Sequence, residues 1–224
     1  MRNVFAVIVA GGSGTRLGGP VPKQFRVLAD KPVLWHTLHA FSTAIPEIQI
    51  ILVLPEEHLL QGKNMKNDFP GISIQVTQGG ATRFESVKNG LALTAADSII
   101  MVHDAVRCLV TAALIAHCCE EAALHGSAVP ALYATDSIRL ETGERNEAVD
   151  RRRIRIIQTP QTFKSELILP AFKQPYREEF TDEATVVEHT GKPIHLVPGE
   201  DTNIKITRPA DLLIAEQILH ERKK

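Results

Sequence analysis

The chain alternates between short apolar runs and longer segments of mixed polarity. The first apolar run, over residues 4–10, contains several β-branched residues and ends at Gly11-Gly12. An apolar run that glycines cut off is typical of a buried strand followed by a loop. Similar runs recur along the sequence, and the segments between them have the length and pattern of helices.

This pattern predicts strands at 4–10, 48–54, 72–77, 98–103, 128–132, 194–197 and 203–207. It predicts helices at 32–44, from 56 onward, at 82–93, 111–125, 164–172 and 182–189, and from 209 onward. Strands that alternate with helices are typical of an α/β fold. We therefore expect a mostly parallel twisted sheet that helices flank on both faces.

The alternation breaks between residues 134 and 159. A turn-rich segment at 142–146 separates two segments with extended character, 137–141 and 147–157. This predicts a long β-hairpin inserted into the α/β pattern, which we call the arm and place at about 134–157. We expect the chain to form one domain, 1–224, and the arm to make it a homodimer, because an isolated hairpin is only marginally stable.

Composition narrows the class of protein. The 224 residues are 44% hydrophobic with a formal net charge of −1, which argues against disorder and against a nucleic-acid or membrane surface. No apolar run approaches the length of a membrane span, and we expect no targeting segment before the first strand. The three cysteines lack metal-ligand spacing, so a reducing cytoplasm fits best.

The basic run and the histidines point to no further class of site. The run at 151–155 has acidic or apolar flanks, so a nucleic-acid patch is unconvincing. In an extended strand, Arg151, Arg153 and Arg155 would share one face. The nine histidines form no His-Glu-x-x-His pattern, so we do not expect a transition metal held by the protein.

The loop after the first strand has the features of an anion site. Glycines allow the main chain to approach a ligand closely, and Arg16 and Lys23 add positive charge. The chain contains no Gly-Lys-Ser or Gly-Lys-Thr of a P-loop, and the dinucleotide fingerprint fails at Leu17. A purely structural turn is the alternative, which the two cations disfavour.

Three further charged residues stand out beyond this loop. Asp104 ends a predicted strand, so it should emerge at the sheet edge where the glycine loop lies, as a ribose or Mg²⁺ contact or as a turn residue. Arg107 is either a phosphate or substrate ligand or a solvated charge. Lys205 lies within a strand-like pattern, and a lysine there needs an anionic partner unless the strand is at an edge.

Seven motifs stand in register from about residue 4 to residue 218. They are the loop 10–17, Pro22-Lys23-Gln24, Val102-His103-Asp104-Ala105, Val149-Asp150-Arg151, Gln158-Thr159-Pro160-Gln161, Thr181-Asp182-Glu183-Ala184 and the segment 203–209. In this order they resemble the 2-C-methyl-D-erythritol 4-phosphate cytidylyltransferase family. The chain departs from the usual family pattern at Ala81, Val106, Cys108 and Ser137.

The resemblance implies a Rossmann-like nucleotidyltransferase fold and, with Mg²⁺, the transfer of a cytidylyl group from CTP to methylerythritol phosphate. It implies catalytic roles for Arg16, Lys23, Arg151 and Lys205, with Asp104 near the metal. It implies CTP contacts from Ala10, Gly11, Gly12, Gly14, Thr15, Gly80, Ser86 and Asp104. It implies methylerythritol phosphate contacts from Asp104, Arg107, Ser137, Arg151, Thr159 and Lys205.

Rival functions remain open at this point. A ribitol-5-phosphate cytidylyltransferase would share the fold and most phosphate-binding motifs, but the motifs at 149–151 and 181–184 look more like the methylerythritol enzyme. A non-catalytic nucleotide-binding regulator would not need both Arg16 and Lys23. An NAD-dependent dehydrogenase would need the complete glycine fingerprint.

Overall fold

The computed structural model describes residues 2–10 and 21–222. Its strands are β1 (Asn3–Val9), β2 (Val27–Leu28), β3 (Lys31–Pro32), β4 (Gln49–Leu54), β5 (Ser73–Gln78), β6 (Ser98–Asp104), β7 (Ser127–Tyr133), β8 (Ile138–Thr142), β9 (Arg145–Val149), β10 (Arg155–Ile157), β11 (Gln161–Lys164) and β12 (Leu196–Pro198). Its α-helices are α1 (Val33–Ala44), α2 (Leu59–Met65), α3 (Arg83–Leu91), α4 (Ala112–His125), α5 (Ser165–Ala171), α6 (Glu183–Glu188) and α7 (Pro209–Glu221).

The main sheet has the strand order β10-β7-β11-β6-β1-β4-β5, with β12 also paired to β7. Strands β6, β1, β4 and β5 are parallel neighbours, whereas β11 runs antiparallel between β6 and β7. The expectation of a mostly parallel sheet is confirmed. The sequence pattern missed β11, because a four-residue strand with three polar residues gives no apolar run.

Helices cover both faces of this sheet. Alternate side chains of β1 point to opposite faces, and Ala6 and Ile8 belong to one core, which packs against α1 and α4. Phe5 and Val7 belong to a second core, which packs against α3, α5 and α6. This two-faced burial explains why the core strands are apolar throughout instead of alternating with polar residues.

The predicted strand at 203–207 is wrong. This segment has no regular secondary structure, and the N–H of Ile206 donates to the carbonyl of Val106 at 2.9 Å. Its backbone therefore bonds to the loop after β6 and does not extend the sheet. Ile206 packs in a third core with Leu109 and Ala215 of α7, which accounts for the strand-like apolar pattern.

The arm is shorter than predicted. Strands β8 and β9 form a separate two-stranded sheet, after which Arg151–Arg153 adopts a 3₁₀ turn. The carboxylate of Asp150 caps that turn by accepting the N–H of Arg152 at 3.1 Å. Strand β10 then returns to the main sheet beside β7. The prediction of one extended segment over 147–157 is wrong, and Arg151, Arg153 and Arg155 do not share a strand face.

Helix α3 packs tightly on the sheet through Gly90. A Cβ atom at Gly90 would lie 2.5 Å from Cγ1 of Val7 and 3.0 Å from Cγ2 of Val53. We expect Gly90→Ala to lower the free energy of unfolding by about 1–3 kcal/mol, because overpacking against these stiff side chains outweighs the helix propensity of alanine. Urea denaturation measures the change. Lys88→Ala, on the exposed side of the same helix, serves as control, and a Gly90→Ala variant as stable as the parent contradicts this packing.

Candidate active site

Asp104 is the centre of a charged cluster at the carboxyl end of β6, level with Val9 of β1. Its Oδ1 accepts from Nη2 of Arg83 at 3.2 Å, and its Oδ2 lies 2.8 Å from Nζ of Lys205. Nε of Arg107 is 3.7 Å from the same Oδ2. The expectation that Asp104 emerges at this sheet edge is confirmed, as is the anionic partner expected for Lys205.

A second carboxylate completes the cluster. Arg83, the first residue of α3, binds both carboxylate oxygens of Glu183, with Nη2 3.2 Å from Oε2. Glu183 begins α6 and is 1% exposed. We call these five residues the Asp104 cluster: Arg83, Asp104, Arg107, Glu183 and Lys205. Its three cations exceed its two carboxylates by one positive charge.

The sequence analysis missed Arg83 and gave Glu183 no role. The available signal was position: Arg83 opens a helix just after Gly79-Gly80, at the carboxyl end of a parallel strand, where α/β sheets bind ligands. A capping box between Thr82 and Glu85 fixes the start of that helix. The pairing with Glu183, one hundred residues later, follows only from the fold.

The surroundings perturb both carboxyl groups. Burial by itself would raise the pKa of Asp104, but the charges of Arg83 and Lys205 outweigh it and hold that pKa well below its usual range. Burial raises the pKa of Glu183, and Arg83 opposes that shift. Asp104 therefore stays ionised at neutral pH and keeps the cations around it.

His103 and Thr159 hold Asp104 in place. Nε2 of His103 bonds to the carbonyl of Arg107 at 3.2 Å, and since a carbonyl only accepts, Nε2 carries the proton. Nδ1 then accepts from the Thr159 hydroxyl at 2.9 Å, which in turn accepts the N–H of Asp104 at 3.2 Å. The buried Thr159 hydroxyl is thus engaged within the fold, and its expected substrate contact remains a prediction.

Arg107 connects three loops. Its Nη1 donates to the carbonyl of Asn203 at 2.8 Å and its Nη2 to that of Ile157 at 3.4 Å. The amide of Asn203 in turn donates to the carbonyl of Thr159 at 2.9 Å. These bonds fix the loop after β6, the loop before β11 and the segment that carries Lys205, so the side chains of the cluster come together.

The expected cytosine contacts lie on either side of the end of β4. The N–H of Ala10 donates to the carbonyl of Val53 and that of Gly79 to the carbonyl of Leu54, at 2.9 and 2.8 Å. The Ser86 hydroxyl accepts the N–H of Gly80 at 3.1 Å. A Cβ atom at residue 80 would lie 2.3 Å from Cβ of Glu85, so only glycine fits there.

Lys23 lies close to this region. Its Nζ is 3.5 Å from the carbonyl of Ile206, the residue after Lys205. Next to it, the Gln24 amide donates to the carbonyl of Ala10 at 3.0 Å, which ties this segment to the end of β1. The other expected CTP contacts, Gly11, Gly12, Gly14, Thr15 and Arg16, lie outside the described residues.

Ser137 and Arg151 lie on the arm and are exposed. Nη1 of Arg151 bonds to the carbonyl of Thr135. Among the described residues, no hydrogen bond or ion pair joins either side chain to the Asp104 cluster. Two of the departures from the family pattern, Val106 and Cys108, are buried in the third core, to which Ile206 also belongs.

Comparison of this chain with known protein families points to one family. The model of the 2-C-methyl-D-erythritol 4-phosphate cytidylyltransferase family matches residues 4–221. This chain belongs to that family. It is accordingly a cytidylyltransferase enzyme, and its family excludes the purely regulatory and dehydrogenase alternatives. Among the residues described, no helix is long and apolar enough to cross a membrane, and all three cysteines are free thiols.

Individual members of the family resemble the whole chain. The cytidylyltransferase of Porphyromonas gingivalis is 45% identical over 96% of this chain and 97% of its own. That of Bacteroides thetaiotaomicron is 44% identical over 95% and 98%. The solved synthase from Anaerococcus prevotii superposes with a TM-score of 0.85 at 25% identity, covering 98% of this chain and 99% of its own. The Thermus thermophilus enzyme gives 0.78 at 30% identity, covering 98% and 100%.

The burial of His103 allows a prediction of how the free energy of unfolding depends on pH. Burial lowers the pKa of His103 from its ordinary value of 6.5 to about 3, so between these pH values the unfolded chain binds a proton that the folded chain does not. The free energy of unfolding should therefore fall on acidification below pH 6.5, by up to about 1.4 kcal/mol per pH unit from this residue.

Urea denaturation of the parent and of His103→Asn between pH 7 and pH 4 measures this contribution. The variant should lose less stability on acidification than the parent, and comparing the two cancels the contribution of the carboxyl groups. His117→Asn, an exposed histidine on α4, should keep the parent's slope. If the free energy of unfolding changed with pH in the same way in the parent and in His103→Asn, a lowered pKa of His103 in the folded protein would be contradicted.

Proposed function

We propose that this protein transfers the cytidylyl group of CTP to 2-C-methyl-D-erythritol 4-phosphate, giving 4-diphosphocytidyl-2-C-methyl-D-erythritol and pyrophosphate in isoprenoid biosynthesis. Family membership supports the reaction. The observation that carries the proposal at the level of this chain is the Asp104 cluster, where one buried carboxylate gathers cations at the carboxyl edge of the sheet.

The charge of the site suits two anionic substrates. The cluster carries one excess positive charge, and Lys23 lies beside its Lys205 segment. The side chain of Lys205 is 38% exposed, so it can turn from Asp104 toward an incoming phosphate. Arg83 and Arg107 are held by Glu183 and by main-chain carbonyls, so they keep the positive field in place.

In the proposed reaction an oxygen of the methylerythritol phosphate attacks the α-phosphorus of CTP. A new P–O bond forms, the bond from the α-phosphorus to the α,β-bridging oxygen breaks, and pyrophosphate leaves with that electron pair. Negative charge grows on the non-bridging oxygens, so fixed cations and N–H groups stabilise the transition state more than the ground state. Arg16 and Lys23 are the proposed cations at the CTP phosphates.

We assign base recognition to the main chain around Ala10 and Gly80. Ser86 holds Gly80 from one side, and the absence of a side chain at residue 80 lets a flat ring approach the backbone. Fixed main-chain donors and acceptors discriminate cytosine from uracil, whose exocyclic group and N3 have the opposite hydrogen-bonding character. A pocket of pyrimidine width would exclude the purines.

Asp104 is the residue that would hold Mg²⁺. A buried, ionised carboxylate fits this ion, which is commonly bound by one or two carboxylates together with substrate phosphates. Because Lys205 lies 2.8 Å from Oδ2 of Asp104, a bound ion would compete with this lysine for that oxygen. Bound there with the triphosphate, Mg²⁺ supplies charge neutralisation. We place the enzyme in the cytoplasm, where its free thiols stay reduced.

The arm supports a homodimer. Strands β8 and β9 pair only with each other in the described structure, and Leu140 is 53% exposed. A two-stranded hairpin needs a further packing surface for stability. A two-fold partner would supply it. In that dimer Arg151 would reach across the interface to the substrate phosphate near Lys205 of the other chain, and the dimer would contain two composite sites.

Pyrophosphate release with CTP and a panel of sugar and polyol phosphates tests the reaction. We expect the highest kcat/KM with methylerythritol phosphate, and weak turnover when ATP, GTP or UTP replaces CTP. Lys23→Ala should lower the rate about 100- to 1,000-fold. A loss of this size in the variant would exclude a contaminating enzyme as the source of the pyrophosphate release. A higher kcat/KM with ribitol 5-phosphate would establish the rival cytidylyltransferase instead.

Mixing two inactive variants tests the composite site. Arg151→Ala and Lys23→Ala chains should each be folded and nearly inactive. In a mixed dimer, one site collects both lesions and the other is restored, so an equal mixture should recover about one quarter of parental activity after the chains exchange. Exchange is first shown with differently tagged chains. No recovery despite proven exchange, or a monomer by light scattering, contradicts the proposal.

A further inference from the structure

Three side chains able to bind a metal converge on one patch of the surface. Nε2 of His195 lies 3.0 Å from Oε2 of Glu121, and Nε2 of His125 lies 3.5 Å from the same oxygen. The ligand atoms of all three lie within 4.8 Å of one another. The two imidazole rings stack with their centroids 4.1 Å apart. We call these residues the Glu121 triad.

The fold holds these residues in place. Glu121 and His125 are four residues apart on α4, so they lie on the same face of the helix. His195 is fixed through its backbone: its N–H donates to the hydroxyl of Ser127 at 3.0 Å, and its carbonyl accepts the N–H of Val129 at 2.9 Å. The third residue is thus anchored to β7, against which α4 lies.

The spacing suits a tetrahedral transition metal. With metal–ligand bonds of about 2.05 Å, two ligand atoms of a tetrahedral zinc site are about 3.3 Å apart. The two measured distances to Glu121, 3.0 and 3.5 Å, bracket that value. The remaining separation, within 4.8 Å, closes by rotation of His125, whose side chain is half exposed. We propose that Glu121, His125 and His195 bind a divalent transition-metal ion, Zn²⁺ in the first instance, with water in the fourth position.

This site is separate from the Asp104 cluster. Strand β11 is antiparallel to both β6 and β7, so β6 and β7 run in the same direction. Ser127 begins β7 and Asp104 ends β6, which places the two sites at opposite edges of the sheet. A metal ion there joins α4 to the segment before β12 and stabilises the fold without entering the reaction.

Zinc titration of chelator-treated full-length protein tests the proposal. Calorimetry should give about one Zn²⁺ per chain, and the thermal midpoint should rise by roughly 5–10 °C when free Zn²⁺ is about 100 times its Kd. His195→Ala and Glu121→Gln should abolish both effects and leave cytidylyl transfer unchanged. His117→Ala, which removes an exposed histidine of the same helix, should retain them.

Cobalt distinguishes this site from the cysteines next to it. Co²⁺ bound by the Glu121 triad should show tetrahedral visible bands without the near-ultraviolet charge-transfer band of a thiolate ligand, and Cys119→Ser should leave the spectrum unchanged. A thiolate band, equal Zn²⁺ binding by His195→Ala, or no zinc binding by the parent protein would each overturn the proposal. In that case Glu121 and His195 would form only a hydrogen-bonded pair, with the ring of His125 stacked on that of His195.

Discussion

The arrangement of the active site depends on the neutralisation of one buried carboxylate. Asp104 is 7% exposed and ends a strand whose seven residues are all buried. An ionised carboxylate at such a position is costly unless cations and hydrogen bonds compensate it. Arg83 and Lys205 provide the cations, while Thr159 fixes the backbone of Asp104 itself. Segments that are distant in sequence are thereby brought to one point, and those of Arg83 and Lys205 each contribute a positive charge that an anionic substrate can use.

The same interaction links stability to function. Arg83 is held between Asp104 and the buried Glu183, so removing it would leave Glu183 without its cation and take one of three cations from Asp104. Lys205 is more exposed and has no second carboxylate partner among the described residues. The cluster therefore combines a fixed cation, which maintains the local field, with a movable one, which can exchange Asp104 for phosphate. This division of roles suits phosphoryl transfer, in which positioning and electrostatics do most of the catalytic work.

The arm and the Glu121 triad both lie outside the main core, and the role proposed for each depends on a neighbouring surface. Strands β8 and β9 of the arm pair only with each other in the described structure, and apolar Leu140 of β8 is exposed to solvent. The triad joins a helix and an edge segment whose sequence positions are about seventy residues apart. Neither the arm nor the pair of Glu121 and His125 on α4 is sufficient by itself for its proposed role. In the proposed homodimer a partner chain completes the arm, and in the proposed metal site the segment before β12 completes the pair of ligands on α4.

The sequence alone determined the alternation of strands and helices, because long apolar runs such as 4–10 and 48–54 are buried on both faces whatever surrounds them. It also determined the position of Asp104, since the end of a parallel strand is a fixed place in an α/β sheet. Only the tertiary structure decided that 203–207 lies against a loop instead of in the sheet, that β11 is a strand, and that Arg83 pairs with Glu183. These outcomes depend on hydrogen bonds and charges between distant segments, and periodicity along the chain carries no information about which distant partner completes them.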